Sequence, residues 1–156
     1  MKKMLFTLVG LVLCAPGARA AANDVVAPVL QFINAFNAGD TKAAFATYAS
    51  GNILIVDEFA PHAWSGPHAA EDWAAAYDRH AQATGVTEGK VTYSAATRVE
   101  VEGDAAYVVM PTTYLYKEHG KPITEKGQIT VVLNRQAGVW KIRGWTWSSE
   151  KPHPAR

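Results

Sequence analysis

Cysteine is nearly missing: among 156 residues there is one, Cys14. It falls in a segment expected to be removed. The remaining domain therefore has no disulfide, no thiol nucleophile and no thiolate metal ligand. An excess of one charge sign is missing too. Lys and Arg number 15 against 14 Asp and Glu, and no basic run marks a nucleic-acid footprint. No apolar run is long enough to cross a bilayer as a helix. A glycine-rich phosphate loop and a serine nucleophile elbow are absent, as is a helical pair of histidines four residues apart. Those absences remove the sequence signals of nucleotide binding, of α/β-hydrolase chemistry and of a helical zinc site. His62, His68 and Asp57 make only a weak metal pattern; the two histidines read first as solvated loop residues and otherwise as the mouth of a pocket. No metal and no cofactor is expected.

What is present is a globular composition, 49% apolar and 10% aromatic, of a length suited to one domain. Residues 1–20 read as a secretory signal peptide. Lys2 and Lys3 precede an apolar stretch from Leu5 to Ala15, Pro16 and Gly17 break it, and Ala18-Arg19-Ala20 is a small-x-small cleavage signal. The competing reading is a buried N-terminal helix. Leu13 before Cys14 does not match a lipoprotein signal. Cleavage after Ala20 predicts a periplasmic or secreted protein that is not membrane-bound in its mature form. Removing Lys2, Lys3 and Arg19 leaves 12 basic residues against 14 acidic, a net of −2.

The expected organisation is a leader over 1–20, a domain over 21–150 and a tail over 151–156, with no repeat or linker. Asp24 can cap a helix carrying Val26, Val29, Leu30, Ile33 and Phe36 at helical spacing, ended by Asn37-Ala38-Gly39. Asp40 or Thr41 caps a shorter helix reaching Tyr48. Ile53 to Val56 is a short buried strand, followed by a loop through Pro61 and Gly66. Pro67 to Ala83 predicts a third helix. Strands follow over Lys90–Val101, Ala105–Lys117, Glu125–Asn134 and Val139–Ser148, with Pro111 marking a bulge or an edge. This order predicts an α+β fold: three N-terminal helices packed on the concave face of a curved antiparallel sheet, forming a cone whose interior can hold a ligand.

The run Phe32-Ile33-Asn34-Ala35-Phe36-Asn37-Ala38-Gly39-Asp40 resembles the opening helix and corner of the nuclear transport factor two-like superfamily, which includes SnoaL-like domains and ketosteroid isomerases. Val56-Asp57, with Gly66 nine residues on and a helix after it, is similar to that family's strand, loop and helix. Gly138-Val139-Trp140-Lys141-Ile142 and Trp145-Thr146-Trp147-Ser148-Ser149 resemble its closing hairpin. The resemblance implies the cone fold over the whole mature chain. It also implies that Asp57 stands where the isomerases carry the carboxylate that shuttles a proton between carbons. By the same count Phe32 and Thr130 occupy the positions of the two oxyanion donors, and Phe32 cannot donate. Tyr48 sits close to a further tyrosine of that network, and Trp147 matches a pocket-lining aromatic.

Asp57 has two readings: a general base in a dry pocket, or a strand-end group bonding amides of the next loop. Asp57 and Glu58 are adjacent, and on a strand they would point to opposite faces, so no working carboxylate pair is expected. Trp73 and Tyr77 share one helix face, Tyr114 and Tyr116 one strand face, Trp145 and Trp147 another. These aromatics are core or ligand wall. Candidate ligand contacts are Phe32, Tyr48, His62, Trp64, Trp73, Tyr77, Tyr114, Thr130, Trp145 and Trp147. His80 and His119 read as structural or solvated. Three functions are consistent with this pattern: a binder of a small apolar molecule, an enzyme using Asp57 as base for isomerisation, hydration or dehydration, and an interaction module without a ligand. Apolar residues on both faces of the strands, with Tyr107, Val109 and Leu115 opposite Val108, Met110 and Tyr114, predict a homodimer through the outer face.

Overall fold

The computed structural model describes residues 16–155. Most of the expected leader, including Cys14, lies outside them. Helix α1 spans Pro16–Ala38, so Pro16 and Gly17 stand in its first turn, where proline is tolerated. Asp24 lies inside this helix rather than at its cap, because the alanines before it favour helix and extend it backwards. The buried stripe is Val25, Val29, Phe32 and Ile33, with Val26 and Leu30 at its margin. Helix α2 is short, Thr41–Phe45, and Asp40 caps it by accepting from the Ala43 amide at 2.9 Å. Helix α3 runs Ala69–Thr84 and ends on Gly85 in the left-handed conformation.

The sheet has eight strands: β1 Ile53–Val56, β2 Ala63–Gly66, β3 Val86–Tyr93, β4 Arg98–Glu102, β5 Ala105–Glu118, β6 Lys121–Gln136, β7 Val139–Ser149 and β8 His153–Pro154. Their order is β2-β1-β7-β6-β5-β3, with β4 also on β5 and β8 also on β6. It is open and curved, and three features depart from the expected all-antiparallel meander. β1 lies parallel to β7. Gly144 permits that approach, since a Cβ there would sit 2.5 Å from the Leu54 carbonyl oxygen. The segment expected as a loop after β1 folds back as β2, placing Trp64 opposite Ile55 on the buried face. The expected strand over 90–101 is two strands, interrupted between Tyr93 and Arg98.

That interruption explains Pro111. The Ser94 amide donates to the Pro111 carbonyl and the Thr97 amide to the Val109 carbonyl, so Pro111 faces the gap and its missing N–H leaves no partner unpaired. On its other side β5 pairs with β6 without a register break. The breaks that curve the sheet are elsewhere: at Thr87–Lys90 against β5, and at Val132–Leu133 against β7. Asn37 ties α1 to the sheet, its amide donating to the Val91 carbonyl at 2.8 Å while its oxygen accepts from the Val91 amide at 2.7 Å.

Inner positions of the strands carry the core: Val108 and Met110 of β5, Val131 and Leu133 of β6, Ile142 of β7. The opposite face exposes Leu54 (51%), Val132 (49%) and Tyr107 (36%).

Candidate functional site

Between α1, α3 and the inner face of the sheet lies a cavity of about 480 Å³. Strand alternation supplies its sheet wall: Thr112, Tyr114, Tyr116 and Glu118 from β5, Glu125 and Ile129 from β6, Trp145, Trp147 and Ser149 from β7. The helices contribute Phe32, Ile33 and Phe36 from α1, and Trp73, Tyr77 and His80 from α3.

Asp57 enters from the end of β1. The strand stops at Val56, so the alternation that would send Asp57 and Glu58 to opposite faces no longer applies, and both line the cavity. Asp57 Oδ2 accepts from the Trp73 indole nitrogen at 2.8 Å, and Oδ1 from the Glu58 amide at 2.8 Å. The two readings of this residue are thus compatible: it bonds a loop amide and also faces the cavity. Burial pushes its carboxyl up to about 6, against the opposing pull of the Trp73 and Glu58 hydrogen bonds and of nearby His80. Near neutral pH it is ionised yet holds a proton far better than an exposed Asp, which suits a base.

The aromatic wall is cross-braced. Phe32 packs on Trp145, Trp73 and the edge of Tyr48 with centroids 5.6–6.2 Å apart. Three indole N–H groups are already engaged: Trp73 with Asp57, Trp145 with the Tyr48 hydroxyl at 2.7 Å, Trp147 with the Thr112 hydroxyl at 2.7 Å. Tyr77 and Tyr114 join through their hydroxyls at 2.5 Å. Two hydroxyls in one hydrogen bond use one proton, so this pair keeps an O–H for a ligand. Burial raises all of the Tyr48, Tyr77 and Tyr114 phenols above their ordinary range, keeping them neutral at physiological pH.

The outer end of the cavity is acidic. Glu125 is 3% exposed. The Ser149 hydroxyl lies 2.7 Å from Glu125 Oε1 and 2.7 Å from Glu58 Oε2. Burial, together with the neighbouring Glu125 carboxyl, holds Glu58 above the usual carboxylate range. Burial and the charges of Glu125, Glu118 and Glu58 push the Tyr116 hydroxyl up to about 12.

Residues 25–149 match the family model of the SnoaL-like domain. The chain belongs to the SnoaL-like domain family. Its fold is shared with a ketosteroid isomerase-like protein from Erwinia carotovora atroseptica, at 21% identity and a TM-score of 0.66, covering 84% of this chain and 97% of that one. The type-3 hexachlorocyclohexane dehydrochlorinase from Novosphingobium barchaimii LL02 gives 0.69 at 16% identity, with 89% and 90% covered. At such identities the likeness establishes the α+β cone. No curated protein matches the chain.

In this SnoaL-like domain the cavity brings together Asp57, Phe32, Trp73, Tyr77, Tyr114, Trp145 and Trp147 of the residues singled out from sequence. Four others lie elsewhere. Tyr48 is behind the wall, bonded to Trp145. Trp64 is buried against Phe59 at 5.1 Å. His62 is exposed in the β1–β2 turn, where its carbonyl accepts from the Asp57 amide. Thr130 faces away: Ile129 pairs with Trp147 and Val131 with Trp145 on the inner face, which puts Thr130 opposite Thr146 on the outer one. It cannot act as an oxyanion donor. Cavity residues not singled out from sequence include Glu58, Thr112, Glu125, Ser149 and His80, the last stacked on Phe59 at 5.0 Å. The His62, His68 and Asp57 metal pattern does not assemble, and among the described residues no three His, Cys, Asp or Glu side chains converge to hold a metal ion.

Proposed function

We propose that this SnoaL-like domain is an exported small-molecule binder, whose cavity encloses a compact ligand with an apolar body. The supporting observation is the cavity itself, about 480 Å³ with aromatic walls, large enough for a ligand. A module that used this fold only for assembly would need no such space. Export rests on the composition of residues 1–20. A homodimer through the outer sheet face rests on exposed Leu54, Val132 and Tyr107.

A specific observation favours a second reading, proton transfer on the bound ligand. Asp57 combines a raised carboxyl with a fixed orientation on Trp73. As base it would take a proton from a carbon beside a carbonyl or leaving group, with the spare hydroxyl of the Tyr77–Tyr114 pair donating to the oxygen that gains charge. The dehydrochlorinase among the structural neighbours is named for an elimination, in keeping with such chemistry.

The test is native mass spectrometry of the protein isolated gently from its own host. A small-molecule mass excess that denaturation removes supports binding. Identical native and denatured masses, with no heat on titration with a neutral aromatic probe, would overturn it. With the released molecule as substrate, Asp57→Asn should abolish any turnover while preserving affinity.

A further inference from the structure

Thr112 is a buried hydroxyl whose proton has no acceptor. It stands on the inner face of β5, two residues before Tyr114, and lines the cavity with 5% of its surface exposed. Gly127, opposite it in β6, presents no side chain. The Thr112 Oγ1 accepts from the Trp147 indole nitrogen at 2.7 Å. An indole N–H only donates, so this bond occupies a lone pair of the hydroxyl and leaves its proton uncommitted. Among the described residues Thr112 makes no other side-chain hydrogen bond. The other buried threonine behaves differently: the Thr47 hydroxyl, 2% exposed, donates to the Ala44 carbonyl at 2.6 Å. A buried donor without an acceptor is destabilising. Because Thr112 lines the cavity, a bound molecule can supply the acceptor.

The charge of that molecule follows from the surrounding side chains. Five carboxyl side chains line the same cavity, Asp57 and Glu58 among them, against Lys151 and His80 as its basic residues. An anionic acceptor would be repelled there. A carbonyl oxygen accepts without carrying charge and without bringing a proton of its own.

We propose that Thr112 selects the ligand of this cavity: its hydroxyl donates to an uncharged carbonyl oxygen on an otherwise apolar molecule, while Trp147 holds the hydroxyl in place by donating to it. This rests on the reading of the cavity as a small-molecule site and adds the group by which the ligand is recognised. Neither position that the resemblance matches to an oxyanion donor can take this part, since Phe32 has no donor and Thr130 lies on the outer face.

Three probes of similar shape test it: 2-acetylnaphthalene, 2-isopropenylnaphthalene, in which a methylene replaces the oxygen, and the anion 2-naphthoate. Titration at pH 8, followed by quenching of tryptophan fluorescence, gives the ketone-to-alkene affinity ratio. Thr112→Val keeps the side-chain shape without the hydroxyl and should lower that ratio about fivefold or more. Thr112→Ser should hold it within about twofold. If Thr112→Val does not fold, Thr112→Ala serves in its place with the same expectation. The infrared carbonyl stretch of the bound ketone should lie below its position in hexane and should rise in the variant without the hydroxyl. A ratio unchanged by loss of the hydroxyl, or a ketone stretch in the wild type unshifted from hexane, overturns the inference while binding of the probes upholds the cavity reading. Naphthoate binding as tightly as the ketone also overturns it. If none of the three binds, the cavity reading fails and this inference with it.

Discussion

Replacing Asp57 with Asn should make the stability of the protein less dependent on pH. The Asp57 carboxyl is raised from 3.8 to about 6, first by burial. A folded state that holds the proton more tightly than the unfolded chain loses stability as pH rises between those two values. At about 1.36 kcal/mol per unit, the ionised Asp57 costs the fold roughly 3 kcal/mol above pH 6. Between pH 4.5 and pH 8 the same relation gives a change of about 2 kcal/mol. Asp57→Asn lacks that change. The variant carries a separate penalty at every pH, because two donors, Trp73 Nε1 and the Glu58 amide, converge on the two carboxylate oxygens and Asn offers one oxygen. Losing one acceptor costs about 1–3 kcal/mol. Urea unfolding of both proteins at the two pH values separates the terms. The stability of the variant relative to wild type should be about 2 kcal/mol more favourable at pH 8 than at pH 4.5. A difference independent of pH, or one of opposite sign, would refute the raised carboxyl and with it the case for Asp57 as a base.

Other outcomes follow from the same structure. Gly89→Ala places a methyl against the Tyr114 hydroxyl and 2.9 Å from the Tyr77 hydroxyl, so thermal unfolding should show about 1–3 kcal/mol of destabilisation, and probe affinity should fall. Asn37→Ala frees both polar groups of Val91 and should lower stability by about 1–3 kcal/mol, with faster exchange of the Val91 amide; unchanged exchange would contradict the clamp. Intact-mass analysis of exported protein should start at Ala21, and a mature form retaining Met1 would contradict cleavage. Light scattering at micromolar concentration should give a dimer that Val132→Lys dissociates, and a wild-type monomer would remove the outer-face interface.

Much of the fold was legible because periodicity survives where one face is buried. The even positions of β5 and the pair Trp145 and Trp147 can be assigned to one face from the sequence alone, and of the two capping candidates Asp40 and Thr41 the structure uses Asp40. Asp57 could be placed by the four aliphatic residues before it and by Gly66 nine residues on. Thr130 failed because a strand count that slips by one residue exchanges the faces; its inward neighbour Ile129 holds the place expected of it. β2 was hidden by Pro61 and Gly66, which read as loop, although Trp64 is what the hairpin buries. Glu125 sits among Thr124, Lys126 and Gln128, where nothing local marks burial; β7, through Ser149 24 positions on, covers it. His80 near the end of α3 is exposed, in keeping with its reading as structural or solvated, and its ring also stacks on Phe59 at the cavity edge. The chemistry of the acidic end is therefore a tertiary property, whereas the aromatic wall is a local one.

The most direct test of the central claim is a crystal structure of the protein isolated from its native host. The account predicts connected density inside the cavity, bounded by Phe32 and Trp147 and reaching Asp57. A cavity closed by its own side chains, with the Asp57 carboxylate turned to bulk solvent away from Trp73, would contradict it.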